Sequence, residues 1–125
     1  MNALGRHLLL ELRDCNWEVL DDLDYIRNCL RDTAEEIGAD VVNECFYQFS
    51  PHGITGVVII SESHICIHTW PEHRYAAVDV FTCGSSVEPE RAVKRLVEKL
   101  GSKDPSFLEL ERGILQSDQV SCELR

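Results

Sequence analysis

A dense β-branched run followed, after only two residues, by a second strand-like segment constrains this chain more than any other feature. Ile54 to Ile60 is rich in β-branched residues, and Ser63 to Thr69 follows with just Ser61 and Glu62 between them. β-Branched residues favour strands. So short a gap leaves no room for the crossover that parallel strands require, so the two runs pair antiparallel. Further strands are predicted over Gly5–Arg13, over Asp40–Phe49, from Arg74–Ala76 to Cys83, and over Ser106–Arg112, with a turn at Ser50-Pro51-His52-Gly53. Two amphipathic helices complete the pattern. The first runs from Asp22 to Ile37 and puts Ile26, Leu30, Ala34 and Ile37 on one stripe, with Gly38 as its stop. The second starts at Pro89, buries Ala92, Val93, Leu96, Val97 and Leu100, and stops at Gly101. The expected fold class is α+β: a two-layer α/β sandwich, its sheet largely antiparallel and its helices on one face, forming a single domain over residues 1–125. The other face of such a sheet stays partly free and is a natural place for a second copy.

Charge and cysteine usage narrow the function classes. A formal net charge of −10 argues against a nucleic-acid partner, which needs clustered Lys and Arg, and is compatible with a small cationic substrate. No apolar stretch approaches the roughly 20 residues of a membrane span, and the short run Leu8–Leu10 is broken by Glu11 and Arg13, unlike a signal peptide. Cys15, Cys29, Cys45, Cys66, Cys83 and Cys122 show no paired spacing and read as reduced thiols of a cytoplasmic protein, several of them core fillers. The tail after Leu115 is polar and expected to be loose.

Chemistry concentrates in two stretches, Ser61-Glu62-Ser63-His64-Ile65-Cys66-Ile67-His68-Thr69-Trp70-Pro71-Glu72 and Ala76-Ala77-Val78-Asp79-Val80-Phe81-Thr82-Cys83-Gly84. Strand alternation puts His64, Cys66 and His68 on one face, and Ser63, Ile65 and Ile67 on the other. Titratable groups in an apolar sheet need partners or a purpose. Cys83 falls at a strand end beside the turn Gly84-Ser85-Ser86, where reactive groups are often displayed.

These stretches resemble the signature of the bacterial and archaeal S-adenosylmethionine decarboxylases. The likeness extends to Gly5-Arg6-His7-Leu8, to Gly53-Ile54-Thr55-Gly56-Val57-Val58 and to Glu111-Arg112-Gly113, and so covers nearly the whole chain. The resemblance implies a proenzyme that makes its own cofactor. The Ser63 hydroxyl attacks the carbonyl of Glu62, the amide becomes an ester, and elimination across Ser63 releases residues 1–62 as a β chain. Residues 63–125 become an α chain headed by a pyruvoyl group, with no metal involved. A strained turn at Ser61-Glu62 and an oxyanion donor assist such an attack. Thr55 stands where the family often has serine and is expected to support processing; His68 fits the base that removes the Cα proton. The pyruvoyl ketone forms a Schiff base with the substrate amine and accepts the electrons freed with CO2, and Cys83 matches the family's proton donor. The product, decarboxylated S-adenosylmethionine, is an aminopropyl donor for spermidine synthesis. For such a cationic, adenine-bearing substrate Phe49, Trp70 and Glu72 are the candidate contacts, the rings by stacking and cation–π attraction and the carboxylate by polar or charge contact. The resemblance further implies a homodimer of αβ protomers with shared active sites.

Blander readings stand beside these. Phe49 and Trp70 also suit a core or an interface, Glu72 suits a solvated turn, and His64 and Cys66 lean to structural roles. His7, His52 and His73 belong to no motif. Arginine or ornithine is an alternative substrate for the same self-processing machinery. A zinc or sensor module built on His64, Cys66, His68 and Cys83 is the rival from another class, although paired ligand clusters are lacking.

Overall fold

The computed structural model describes residues 3–61, 63–83 and 87–115. Glu62, the Gly84-Ser85-Ser86 turn, Cys122 and the tail beyond Leu115 lie outside the described residues. Six strands and three helices follow in the order β1 (Ala3–Arg13), α1 (Trp17–Leu20), α2 (Leu23–Glu36), β2 (Val41–Gln48), β3 (Ile54–Ile60), β4 (Ser63–Trp70), a 3-10 turn (Pro71–His73), β5 (Tyr75–Cys83), α3 (Pro89–Leu100) and β6 (Asp104–Ile114). They form one sheet in the order β2-β3-β4-β5-β1-β6, and every neighbouring pair is antiparallel. This is the expected two-layer α+β sandwich. The short α1 and the 3-10 turn were not legible as periodic patterns, because neither is long enough to show a period.

Local chemistry sets the element ends. The Asp22 carboxylate accepts from the Tyr25 N–H at 3.1 Å and caps α2. Pro89 opens α3, and Gly101, at φ 67°, closes it in the left-handed conformation. Both long helices lie on one face. Ile26, Leu30, Ala34 and Ile37 meet Ala92, Leu96 and Leu100 above a floor of Leu8, Leu10, Leu12, Ile54, Val58, Ile60, Ile65, Ile67, Val78 and Val80, all buried. The hairpin is tied to α1 through the buried Thr69. Its hydroxyl accepts from the Ile54 N–H at 2.9 Å and donates to the Leu20 carbonyl at 2.8 Å, which leaves no unpaired polar atom there. Cys15 and Cys29 are core fillers as expected; burial pushes their thiols up to about 11 and about 12.

Among the described residues nothing covers the second face of the sheet. It carries His7, Leu9 and Glu11 of β1, Val57 and Ile59 of β3, His64, Cys66 and His68 of β4, and Asp79, Phe81 and Cys83 of β5, in the registers His7↔Phe81, Leu9↔Asp79, Val57↔Cys66 and His64↔Phe81. Leu108 and Leu110 of β6 extend it. An apolar surface this broad, dotted with titratable groups, is characteristic of a face that another molecule covers.

Candidate active site

Ser63 heads β4, directly behind the two-residue link from β3, and pairs with Ile60. Two-residue hairpin links favour Gly, Asn or Asp, and Ser61-Glu62 offers none of these. The Ser63 side chain is half-buried, and its hydroxyl donates to the Ser61 carbonyl at 3.2 Å, back across the link. On the adjacent strand His64 faces Phe81, so Cys83, two residues further on, stands at the same end of the sheet as Ser63. A hydroxyl in a tight link and a half-buried thiol thus stand at the same end of neighbouring strands.

His68 is elsewhere. It sits five residues along β4 from Ser63, about 16 Å away at the usual strand rise. Its partner is Thr55 on β3, whose Oγ1 lies 2.9 Å from the imidazole Nδ1. A protonated Nδ1 held on the hydroxyl oxygen leaves Nε2 with its lone pair free, as a base requires, and leaves the Thr55 O–H free to donate. The candidate substrate contacts surround this second end. Trp70, 41% exposed, stacks on Tyr75 with centroids 5.4 Å apart and lies 6.4 Å from the His68 ring. Phe49, 48% exposed, stands edge-on to Tyr47 at 4.9 Å, and Glu72 pairs with His52 at 3.1 Å. The structure therefore sorts the sequence-derived residues into two groups at opposite ends of one strand: Ser63 with Cys83, and Thr55 with His68, Phe49, Trp70 and Glu72.

A third cluster was not read from the sequence as a unit. Between the two ends, Asp79 Oδ2 meets His7 Nε2 at 3.1 Å and His64 Nε2 at 3.3 Å. Arg112 Nη1 lies 3.1 Å from His7 Nδ1 and packs over the Phe81 ring, which both imidazoles also touch. His7 and Asp79 each fall on a strand with the right alternation; only the register brings them together. The ligand atoms of His7, His64 and Asp79 all lie within 4.8 Å of one another, as metal ligands would. However, an arginine only donates, so Nδ1 of His7 carries the lone pair and Nε2 the proton; that nitrogen is turned to Asp79 as a donor, not to an ion as a ligand. Cys66, His68 and Cys83 do not join the group, so the four-residue metal module considered from the sequence is not assembled. Cys66 is instead a half-buried thiol that burial and the nearby Asp79 both hold in its protonated form.

No helix among the described residues is long and apolar enough to cross a membrane. The sequence profile of the S-adenosylmethionine decarboxylase family matches residues 6–113. Among curated relatives, an S-adenosylmethionine decarboxylase proenzyme from Thermodesulfovibrio yellowstonii is 50% identical over 92% of this chain and 85% of its own length. One from Moorella thermoacetica is 48% identical over 98% of both chains. The crystal structure of the adenosylmethionine decarboxylase from Aquifex aeolicus superposes with a TM-score of 0.87 at 37% identity, covering 94% of this chain and 97% of that one. With a profile spanning nearly the whole described sheet and relatives matched over nearly their full length, this chain belongs to the S-adenosylmethionine decarboxylase family.

Proposed function

We propose that the chain cleaves itself between Glu62 and Ser63 and then decarboxylates S-adenosylmethionine as a dimer whose two sites each draw on both copies. The observation that carries this reading is the placement of Ser63 as the first residue of β4, behind a two-residue link and beside the strand that ends in Cys83.

Self-processing needs no group beyond those this sequence encodes, drawn from two copies. Ser63 Oγ adds to the Glu62 carbonyl carbon, and the peptide nitrogen leaves, giving an ester. A base then takes the Cα proton of residue 63, the Cβ–Oγ bond breaks, and residues 1–62 depart with a new carboxylate; the dehydroalanine left at position 63 tautomerises to an imine, which water hydrolyses to the ketone with release of ammonia. His68 of the same chain does not reach this proton, since about 16 Å of strand separates them. A second copy solves the geometry. Two open faces packed about a two-fold axis, strands running oppositely, set the Ser63 end of one sheet over the His68 end of the other, twice. His68 then supplies the base from Nε2, and the Thr55 hydroxyl, held on His68 Nδ1, offers its proton to the developing oxyanion. The apolar residues Leu9, Val57 and Ile59, with Leu108 and Leu110 of the edge strand, then become covered in the dimer.

The residues fit the pyruvoyl group that this reaction leaves at position 63: the precursor serine is at a strand head, and a thiol stands on the neighbouring strand end. The group supplies a carbonyl that condenses with the substrate amine and takes up the electrons released with CO2. Cys83 holds the proton that returns to the substrate α-carbon. Phe49 and Trp70 present exposed faces for an adenine ring and a sulfonium charge, and Glu72, oriented by His52, accepts from a hydroxyl or faces the cation. Membership of this family favours S-adenosylmethionine over arginine or ornithine as substrate. The aminopropyl donor so made feeds polyamine synthesis, in keeping with a cytoplasmic enzyme.

Intact mass measurement tests the reading directly. Purified protein is expected as two fragments, the larger-numbered one starting at a carbonyl that borohydride reduces, and Ser63→Ala as one uncut chain. A wild-type chain that stays whole refutes self-processing. A cut chain that releases CO2 from arginine or ornithine, and not from S-adenosylmethionine, refutes the substrate.

A further inference from the structure

Scission poses a problem for β4 that the His64–Asp79 pair is placed to solve. Before the break, residue 63 is held from both sides along the chain. Afterwards it is a chain end, and strand ends fray unless something ties them down. Conversion to a ketoacyl terminus also removes the backbone nitrogen of residue 63, and with it a ladder donor. Toward β5 the described ladder begins one residue later, with His64 opposite Phe81. Position 63 must nevertheless keep its place beside Cys83, because a proton donor misplaced by an ångström loses much of its effect.

His64 is the first residue behind that end, and its side chain is bound across to the next strand, Nε2 to Asp79 Oδ2 at 3.3 Å. Asp79 is not free to swing. The same oxygen accepts from His7 Nε2 at 3.1 Å, and His7 is itself fixed by the guanidinium of Arg112, 3.1 Å from Nδ1. The chain of contacts crosses four adjacent strands, β4, β5, β1 and β6, in sheet order. Phe81 packs against both imidazoles from β5, centroids 5.3 and 5.8 Å away, and closes the cluster from the side of Cys83. Asp79 thus faces two imidazoles whose hydrogens both point at one oxygen, an arrangement that holds His64 in a single rotamer with a charge-assisted bond.

We propose that His64, held by Asp79, is a positioning residue that keeps the new terminus of the α chain in register with Cys83 once the chain has been cut. This rests on the self-processing reading above and adds to it a clamp that matters only after scission.

The test is hydrogen–deuterium exchange of the segment 63–70, followed by mass spectrometry, in cut wild-type protein, His64→Ala and Asp79→Ala, with each substitution repeated in the uncut Ser63→Ala background. In the cut protein both substitutions are expected to speed exchange at the head of β4 at least about tenfold, in line with losing one charge-assisted hydrogen bond. In the uncut background the same substitutions are expected to change it far less, because the link to β3 still holds the strand. Decarboxylation is expected to lose kcat by about tenfold with little change in KM, and His64→Gln, which keeps an N–H, is expected to recover part of both losses. Equal loosening in cut and uncut chains would reduce the cluster to an ordinary structural contact and overturn the proposal. So would unchanged exchange, failure of both alanine variants to cut, or stoichiometric metal that disappears with His64→Ala. Should wild-type protein itself stay whole, the self-processing reading is what fails; should it cut normally and the variants show no loosening, only the clamp fails.

Discussion

Complementation between two inactive variants separates a shared site from a private one. On the proposed mechanism, Ser63→Ala removes the nucleophile and His68→Ala removes the base. Within one chain these residues are five positions apart on the same strand, about 16 Å at 3.3 Å per residue, against the roughly 3 Å that proton transfer allows. Rotamer changes do not close such a gap, so each variant alone is expected to stay essentially unprocessed. When the two are co-expressed with different tags, the proposed dimer is expected to form mixed pairs. Each mixed dimer contains one damaged pair and one intact pair, the latter made of Ser63 from the His68→Ala chain and His68 from the Ser63→Ala chain. With random pairing, about half of the His68→Ala chains sit in mixed dimers; that fraction is expected to be cut, while Ser63→Ala chains remain whole. Intact mass of the two tagged pools reads the outcome without any activity assay. If no His68→Ala chain is cut although mixed dimers are recovered, or if purified wild-type monomer cuts at a rate independent of concentration, the shared-site geometry is wrong.

Other expectations follow from single contacts. Thr55→Ser keeps the hydroxyl on His68 and is expected to process near the wild-type rate, whereas Thr55→Val, which removes it, should slow scission roughly tenfold or more; equal time courses on a gel would remove Thr55 from processing. A Cβ at Gly56 would overlap the Phe46 ring, so Gly56→Ala is expected to cost about 1–3 kcal/mol in denaturant titration, and an unchanged midpoint would contradict the packing. Burial raises the Cys15 and Cys29 thiols to about 11 and about 12, above the ordinary thiol value they regain on unfolding. Above about pH 9 the unfolded chain therefore holds fewer protons than the folded one, and stability is expected to fall as pH rises from there; a flat profile between pH 8 and pH 10.5 would refute the burial of these thiols as ionisable groups.

Much of this protein is written locally in its sequence. The two-residue gap between β3 and β4 dictates a hairpin, because no other connection fits in it. The stripe Ile26, Leu30, Ala34 and Ile37 and the Pro89–Gly101 punctuation dictate two helices with one buried side each, and all four stripe residues are buried as expected. Ser63, His68 and Cys83 are marked by their neighbours along the chain, and alternation alone separates Ser63 from His64, Cys66 and His68. Distance in the fold is another matter. That His68 belongs with Thr55, Trp70 and Tyr75, and Cys83 with Ser63, depends on which strands are neighbours and in what register, which is decided by the packing of the whole sheet under its helices. The His7–Asp79–His64 cluster shows this most clearly. Its members come from three strands and are separated by up to 72 positions in sequence, so no spacing rule announces them; only the β1–β5 and β4–β5 registers turn three scattered polar residues into one bonded group. Sequence sets what each strand shows on its two faces, since side chains alternate by covalent geometry. Tertiary structure alone sets what those faces meet, since that is a long-range choice made by burial.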